Sequence, residues 1–231
     1  MRITADLISK SAAYLNPLGE YHLDLRGYKI PFLENLTATN DQFGCIDLTD
    51  NEIVTVEPIP QLLRLKTLML INNRITRLED RFADMCPHLE SLVLTNNKIG
   101  RFEEIDKISA TCKQLVRLCL FGNVVSQLPN YRQYVIFKLP HLRVLDFQKI
   151  SDAERKEAKK FFESAAGTAV LKELSQREDG VQKKKAEKRT SEADDEQVIR
   201  KIAELEKQIE QAESLEEVQA LQKQIETLTE A

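Results

Sequence analysis

The chain of 231 residues carries 33 Lys+Arg against 37 Asp+Glu, a formal net charge of −4, which argues against nucleic-acid binding by bulk electrostatics alone. It contains no run approaching the roughly eighteen apolar residues that a membrane-spanning helix requires. The balance shifts along its length: residues 1–150 hold 18 basic against 17 acidic side chains and all seven prolines, whereas residues 151–231 hold 15 against 20. That shift predicts a capped domain over 1–165, a charged and partly disordered linker over 166–195, and a helical hairpin or short coiled-coil segment over 196–231.

At the N-terminus, Asp6 and Lys10 stand where a secretory signal needs an apolar core, so a soluble protein not secreted by that route is expected. Thr4 to Leu15 reads as a short amphipathic helix with Thr4 at the N-cap and Ile3, Leu7, Ile8 and Leu15 facing inward.

A repeated phrase of the form L-x-x-L-x-L-x-x-N-x-I follows. It runs through Phe43–Ile53, Leu65–Ile75, Leu89–Ile99 and Leu115–Val125, with a weaker copy before it that has Tyr28 in the Asn place and another, HLRVLDFQKI, after it. The asparagines at 51, 73, 97 and 123 are 22, 24 and 26 residues apart, inside the leucine-rich-repeat range. One such unit cannot bury its own apolar face. Stacked units share a core, each Asn bonding backbone groups where the chain bends, and they line up their strands as a parallel sheet on the concave side. The expected fold class is therefore α/β, a leucine-rich-repeat solenoid with helical caps at both ends and a helical C-terminal tail.

Strand alternation assigns the outward columns of that sheet. The central one is Asp24, Asp47, Met69, Val93, Cys119 and Asp146; beside it run Arg26, Thr49, Ile71, Thr95, Phe121 and Gln148; on the other side stand His22, Cys45, Thr67, Ser91, Arg117 and Val144. The centre is apolar and the ends are charged. Asp24, Asp47, Met69, Ile71, Val93, Thr95, Cys119 and Phe121 are the expected partner-binding residues, because a contiguous apolar patch on an outward face marks an interface. Like charges at Asp24 and Asp47 call for compensation, in part by Arg26, and a basic partner helix would add to it.

Catalysis is not expected, since no nucleophile-base set, phosphate-binding Gly loop or paired-His motif can be assembled. His88 and His141 each adjoin a proline before a strand and read as structural. His22 lies near Asp24 and Asp47, but one His without a fixed second ligand gives no metal site, and no cofactor is implied. Cys45, Cys86, Cys112 and Cys119 form no C-x-x-C pair, which predicts reduced, mostly buried thiols.

Toward the C-terminus, Asn130 precedes YRQYVIFK, a helix that closes the stack before Pro140, and Ser151 with Glu154 forms a capping box for a further helix to about Gly167, with a resumption to Gln176. The run Lys183, Lys184, Lys185, Lys188 and Arg189 fits a solvated linker or a nuclear-import signal. Beyond it, two apolar stripes separated by the Ser214/Glu217 box favour a helical hairpin.

Two stretches are more specific than the repeat itself. Leu23–Ile53 and Tyr131–Ile150 resemble the A-prime family of the spliceosomal U2 small nuclear ribonucleoprotein, a similarity covering roughly residues 1–165. The resemblance implies a nuclear splicing scaffold that binds the RNA-recognition-motif protein B-double-prime through its concave face and, jointly with it, a U2 RNA stem-loop. It also makes Arg26, Lys29 and Arg2 candidates for RNA phosphate contact, and other spliceosomal proteins candidates for the tail. The alternative is a leucine-rich-repeat regulatory subunit of a nuclear protein phosphatase, whose relatives have longer and more uniform arrays.

Overall fold

The computed structural model describes residues 1–165 and 167–169. The helix resumption beyond residue 169, nearly all of the linker, the basic run at 183–189 and the segment 196–231 lie outside the described residues.

Helix α1 (Ala5–Lys10) opens the fold, capped as expected by Thr4, whose hydroxyl accepts from the Leu7 N–H at 3.1 Å. It is shorter than the sequence predicts. The chain leaves the helix at Ser11 and enters β1 (Ala13–Leu15), which turns back through Asn16–Gly19 into β2 (Tyr21–Asp24) as an antiparallel hairpin. Leu15 is consequently 70% exposed instead of buried, and Ile8 is only half-buried. The physical reason is the turn chemistry of Asn-Pro-Leu-Gly: the Asn16 side chain accepts from the N–H groups of Leu18 and Glu20, and Gly19 takes φ +77°. The hairpin also covers the end of the parallel sheet.

The repeats then supply β3 (Cys45–Asp47), β4 (Thr55–Val56), β5 (Thr67–Met69), β6 (Arg77–Leu78), β7 (Ser91–Val93), α2 (Phe102–Thr111) and β8 (Arg117–Cys119). Helix α3 (Tyr131–Lys138), the hairpin β9 (Val144–Leu145) and β10 (Gln148–Lys149), and α4 (Asp152–Glu163) complete the described elements. Among the described residues the main sheet runs β1-β2-β3-β5-β7-β8-β9-β10, parallel from β2 to β9 and antiparallel at both ends, while β4 and β6 pair on the opposite side. Leu23, Ile46, Leu68, Leu92, Leu118 and Leu145 stand in one register and are all buried.

What fixes that register is the buried asparagine. In Asn73, Oδ1 accepts from the Ile53 N–H at 3.1 Å, and Nδ2 donates to the carbonyls of Leu48 and Ile71 at 3.0 and 3.1 Å. Asn51, Asn97 and Asn123 repeat the pattern, each reaching into the repeat before its own. Donors and acceptors that would otherwise be buried without partners are thus matched by one side chain that can do both.

At the C-terminal end, α3 and α4 close the stack through the rings of Tyr134, Phe137 and Phe162. The Ser151/Glu154 capping box forms, and the Arg132 guanidinium at 2.8 Å, with the Ser151 N–H, holds the Glu154 carboxyl down to about 2. Helix α4 breaks at Ser164, earlier than expected, and helical backbone resumes at residues 165 and 167–169. Asn130 stands at the N-cap of α3 but makes no side-chain cap bond, because its own backbone is left-handed at φ 60°. On the convex side Glu104 is buried: it accepts from the Leu78 N–H at 2.6 Å, and burial pushes its carboxyl up.

The asparagine account predicts a steep, site-specific cost. Asn97→Asp keeps the acceptor for Ile75 but sets a carboxylate against the carbonyls of Leu70 and Leu94, so urea unfolding should show a loss of at least about 3 kcal/mol. Asn96→Asp, one residue away and exposed, should cost under about 1 kcal/mol, and similar losses for both would contradict the account.

Candidate protein-binding face

The open face of the sheet carries the expected columns in parallel register. His22, Cys45, Thr67, Ser91, Arg117 and Val144 align strand to strand, as do Asp24, Asp47, Met69, Val93 and Cys119. Neighbouring members lie about 4.8 Å apart, so any side chain left outward touches the next.

At the N-terminal end of this face Arg26 compensates both acids. Its Nε and NH2 donate to the two oxygens of Asp24 at 2.9 and 2.5 Å, and its Nε lies 3.7 Å from Asp47. The Arg26 hydrogen bond holds the Asp24 carboxyl below the usual carboxylate range, against the opposing effect of burial. Thr49 adds its N–H and hydroxyl to Asp47, which is buried. Asp47 therefore contributes negative potential to the face more than contact area.

In the middle, Met69, Ile71, Val93 and Thr95 are half-buried, and Phe121 is 59% exposed. These five form the apolar stretch that the columns predict. Cys119 does not belong with them as a contact residue: it is 5% exposed, its Sγ accepts from the Thr95 hydroxyl at 3.1 Å, and burial pushes its thiol up. All four cysteines are free and buried, with Cys45 and Cys112 pushed up to about 12 and Cys86 to about 11, chiefly by desolvation.

The second column breaks at its end. Gln148 pairs antiparallel with Leu145 in β10 rather than standing beside Phe121's column, because Asp146 and Phe147 both adopt positive φ and reverse the chain. Asp146 itself is taken up internally, accepting from the Leu120 N–H at 2.7 Å and from the Tyr131 hydroxyl at 2.9 Å.

The three basic candidates are divided. Arg2 is paired with Glu34 at 3.4 Å, and Lys29 is exposed with its carbonyl accepting from the N-terminal ammonium at 3.0 Å, which brings both to the same rim. Arg26 instead faces the open sheet and is engaged by Asp24 and Asp47. Among the described residues no group of three or more His, Cys, Asp or Glu is arranged to hold a metal, and His22 is stacked on Tyr14 at 4.8 Å. His88 and His141 are exposed.

Tyr14 is a face residue that the helix reading of the N-terminus missed. It stands opposite His22 in β1 and is 44% exposed, extending the face past its first repeat. The signal was the Asn-Pro-x-Gly turn between two alternating runs, which marks a hairpin.

A leucine-rich-repeat family model matches residues 1–175. The chain is 50% identical over 175 residues to the U2 small nuclear ribonucleoprotein A' of Arabidopsis thaliana, covering 76% of this chain and 70% of that one. It is 45% identical over 177 residues to the probable U2 small nuclear ribonucleoprotein A' of Drosophila melanogaster, covering 77% of this chain and 66% of that one. Its fold is similar to a chain in a solved Drosophila melanogaster SNF/U2A' complex, with TM-score 0.73, 44% identity and coverage of 75% of this chain and 99% of that one.

The Arg26 network makes a pH-dependent prediction. Asp24 has a lowered folded pKa, so its contribution is present above its unfolded value near 3.8 and is lost as pH falls through the folded value. Arg26→Met leaves two adjacent carboxylates uncompensated and should cost about 1 kcal/mol at pH 7, with the deficit shrinking by pH 3.5 as Asp24 takes up its proton. Urea unfolding at the two pH values measures it, and a deficit that is the same at both would contradict the assignment.

Proposed function

Since this chain belongs to the U2 small nuclear ribonucleoprotein A' family, we propose that it is a non-catalytic scaffold of the nuclear splicing machinery that holds an RNA-binding protein on its open sheet face. The partner is an RNA-recognition-motif protein of the B-double-prime kind. Jointly they bind a U2 RNA stem-loop.

The observation that carries this reading is the distribution of side chains along the face. Met69, Ile71, Val93 and Phe121 form an apolar stretch across three adjacent parallel strands, and the acidic pair Asp24 and Asp47 lies at one end. An amphipathic helix laid across the strands would bury its apolar side on that stretch and direct a basic end toward the acids. The rigid parallel sheet presents these groups without rearrangement, which lowers the entropic cost of association. The Drosophila relative was solved in a complex with SNF, and that supports a protein partner for this chain.

RNA affinity on this reading comes mainly from the complex. Residues 1–150 have a balance of only +1, Arg26 is engaged by its own chain, and Arg2 and Lys29 offer a small basic rim. Such a surface adds a few phosphate contacts to a partner that reads the bases. Nuclear localisation follows from the same reading, with Lys183–Lys185, Lys188 and Arg189 as its import signal.

Titration calorimetry with Drosophila SNF tests the face directly. Val93→Asp and Phe121→Asp are each expected to weaken binding by at least about a hundredfold with little change in thermal unfolding. Wild-type affinity in both variants, or no binding by the parent chain, would overturn the reading. In a filter assay at physiological salt the isolated chain should retain a U2 stem-loop weakly and the SNF complex should retain it far better. The domain boundary belongs to the same proposal: a chain ending at Gly167 is expected to unfold cooperatively and to bind SNF as the full chain does, measured by circular dichroism and calorimetry.

A further inference from the structure

In the repeat phrase, the residue two places after the central strand leucine belongs to the core. Leu25, Leu48, Leu70, Leu94 and Leu120 hold that place in five successive repeats, and each is 0% exposed. Phe147 holds it in the sixth, two places after Leu145, and is 74% exposed.

The difference lies in the backbone. Asp146 and Phe147 adopt φ of 48° and 65°, a left-handed conformation that a residue with a Cβ enters at a cost. The chain then reverses into β10, and Ile150 at its end is buried. The reversal is held from both sides: the Leu120 N–H and the Tyr131 hydroxyl each donate to one oxygen of Asp146. A large apolar ring is thereby turned to solvent on a strained backbone.

We infer that Phe147 is an aromatic anchor for the protein partner, set at the C-terminal rim of the open face. This rests on the reading given under Proposed function and adds a residue to it. The rim is continuous with that face, because Leu120, whose N–H holds Asp146, is followed directly by Phe121. Phe121 and Phe147 thus follow the two ends of one hydrogen bond, and both are exposed, which sets a second ring at the rim where the column of Ile71, Thr95 and Phe121 stops. The occupant is the end of the same partner segment, opposite the end that faces Asp24 and Asp47, and it contributes an apolar side chain that packs between the two rings. Aromatic groups near the well-packed part of an interface carry a disproportionate share of binding.

Phe147→Asn and Phe147→Tyr, made in the full chain and titrated with Drosophila SNF, test the assignment. Asn enters the left-handed region readily, so its thermal midpoint should equal or exceed that of the parent, while SNF affinity falls by at least about tenfold. Tyr keeps the ring and should bind within about threefold of the parent. An Asn variant that binds within about twofold of the parent, or that unfolds at a lower temperature, overturns the anchor. Val93→Asp run alongside separates the two claims. If it loses binding while Phe147→Asn keeps it, only the anchor fails; if it keeps parental affinity, the groove reading fails and the anchor with it.

Discussion

Each repeat hands a buried side-chain amide back to the one before it, and the rest of the molecule depends on that contact. The carboxamides of Asn51, Asn73, Asn97 and Asn123 each accept one backbone N–H and donate to carbonyls of two repeats. A hydroxyl of similar size donates only one proton, whereas the Asn amide sets two donor protons beside a separate acceptor oxygen. The contact sets the position of each strand from β2 to β8 relative to its neighbour, which brings Leu23, Ile46, Leu68, Leu92 and Leu118 into a single buried row. The same register fixes what faces outward. Met69, Val93 and Phe121 become neighbours only because their strands cannot slip.

A stack held in this way has two problem ends, and both are solved by reversing the chain. At the N-terminus β1 folds back on β2, and at the C-terminus β10 folds back on β9, so each terminal strand of the parallel run has an antiparallel partner. Helix α1 and the α3/α4 pair then cover apolar groups behind those hairpins. Both hairpins also leave aromatic rings on or beside the open face, Tyr14 at one end and Phe147 at the other. Capping and recognition share the same segments.

How much of this could be read from the sequence follows from what each element depends on. The interior repeats were legible because their signal is periodic and local: a leucine pair, an asparagine and an isoleucine at fixed spacing admit one packing. The outward columns followed by alternation and are found in register from β2 to β8. The ends were less legible, since Thr4–Leu15 satisfies a helical pattern as far as Leu7, while the deciding feature is the turn at Asn16–Gly19. The sixth phrase misled for a similar reason. Its spacing puts Phe147 in the core, and nothing local announces that Asp146 finds two hydrogen-bond donors, Leu120 just after β8 and Tyr131 on α3, that hold the chain in reverse. Burial within a column was also hidden: Asp47 and Cys119 point to the correct side but are covered by Arg26, Thr49 and Thr95, and long-range covering of this kind is a property of the assembled sheet.

The account joins these features into one claim: an asparagine-locked sheet presents an apolar strip, acidic at one end and aromatic at the other, to a protein partner. Hydroxyl-radical footprinting of the full chain, free and bound to Drosophila SNF, tests it most directly, because sulfur-containing and aromatic side chains report their own exposure. Met69, Phe121 and Phe147 are predicted to be protected on binding, while Met85, 55% exposed and outside the strip, keeps its free-state reactivity. Protection at Met85, with Met69, Phe121 and Phe147 unchanged, would contradict it.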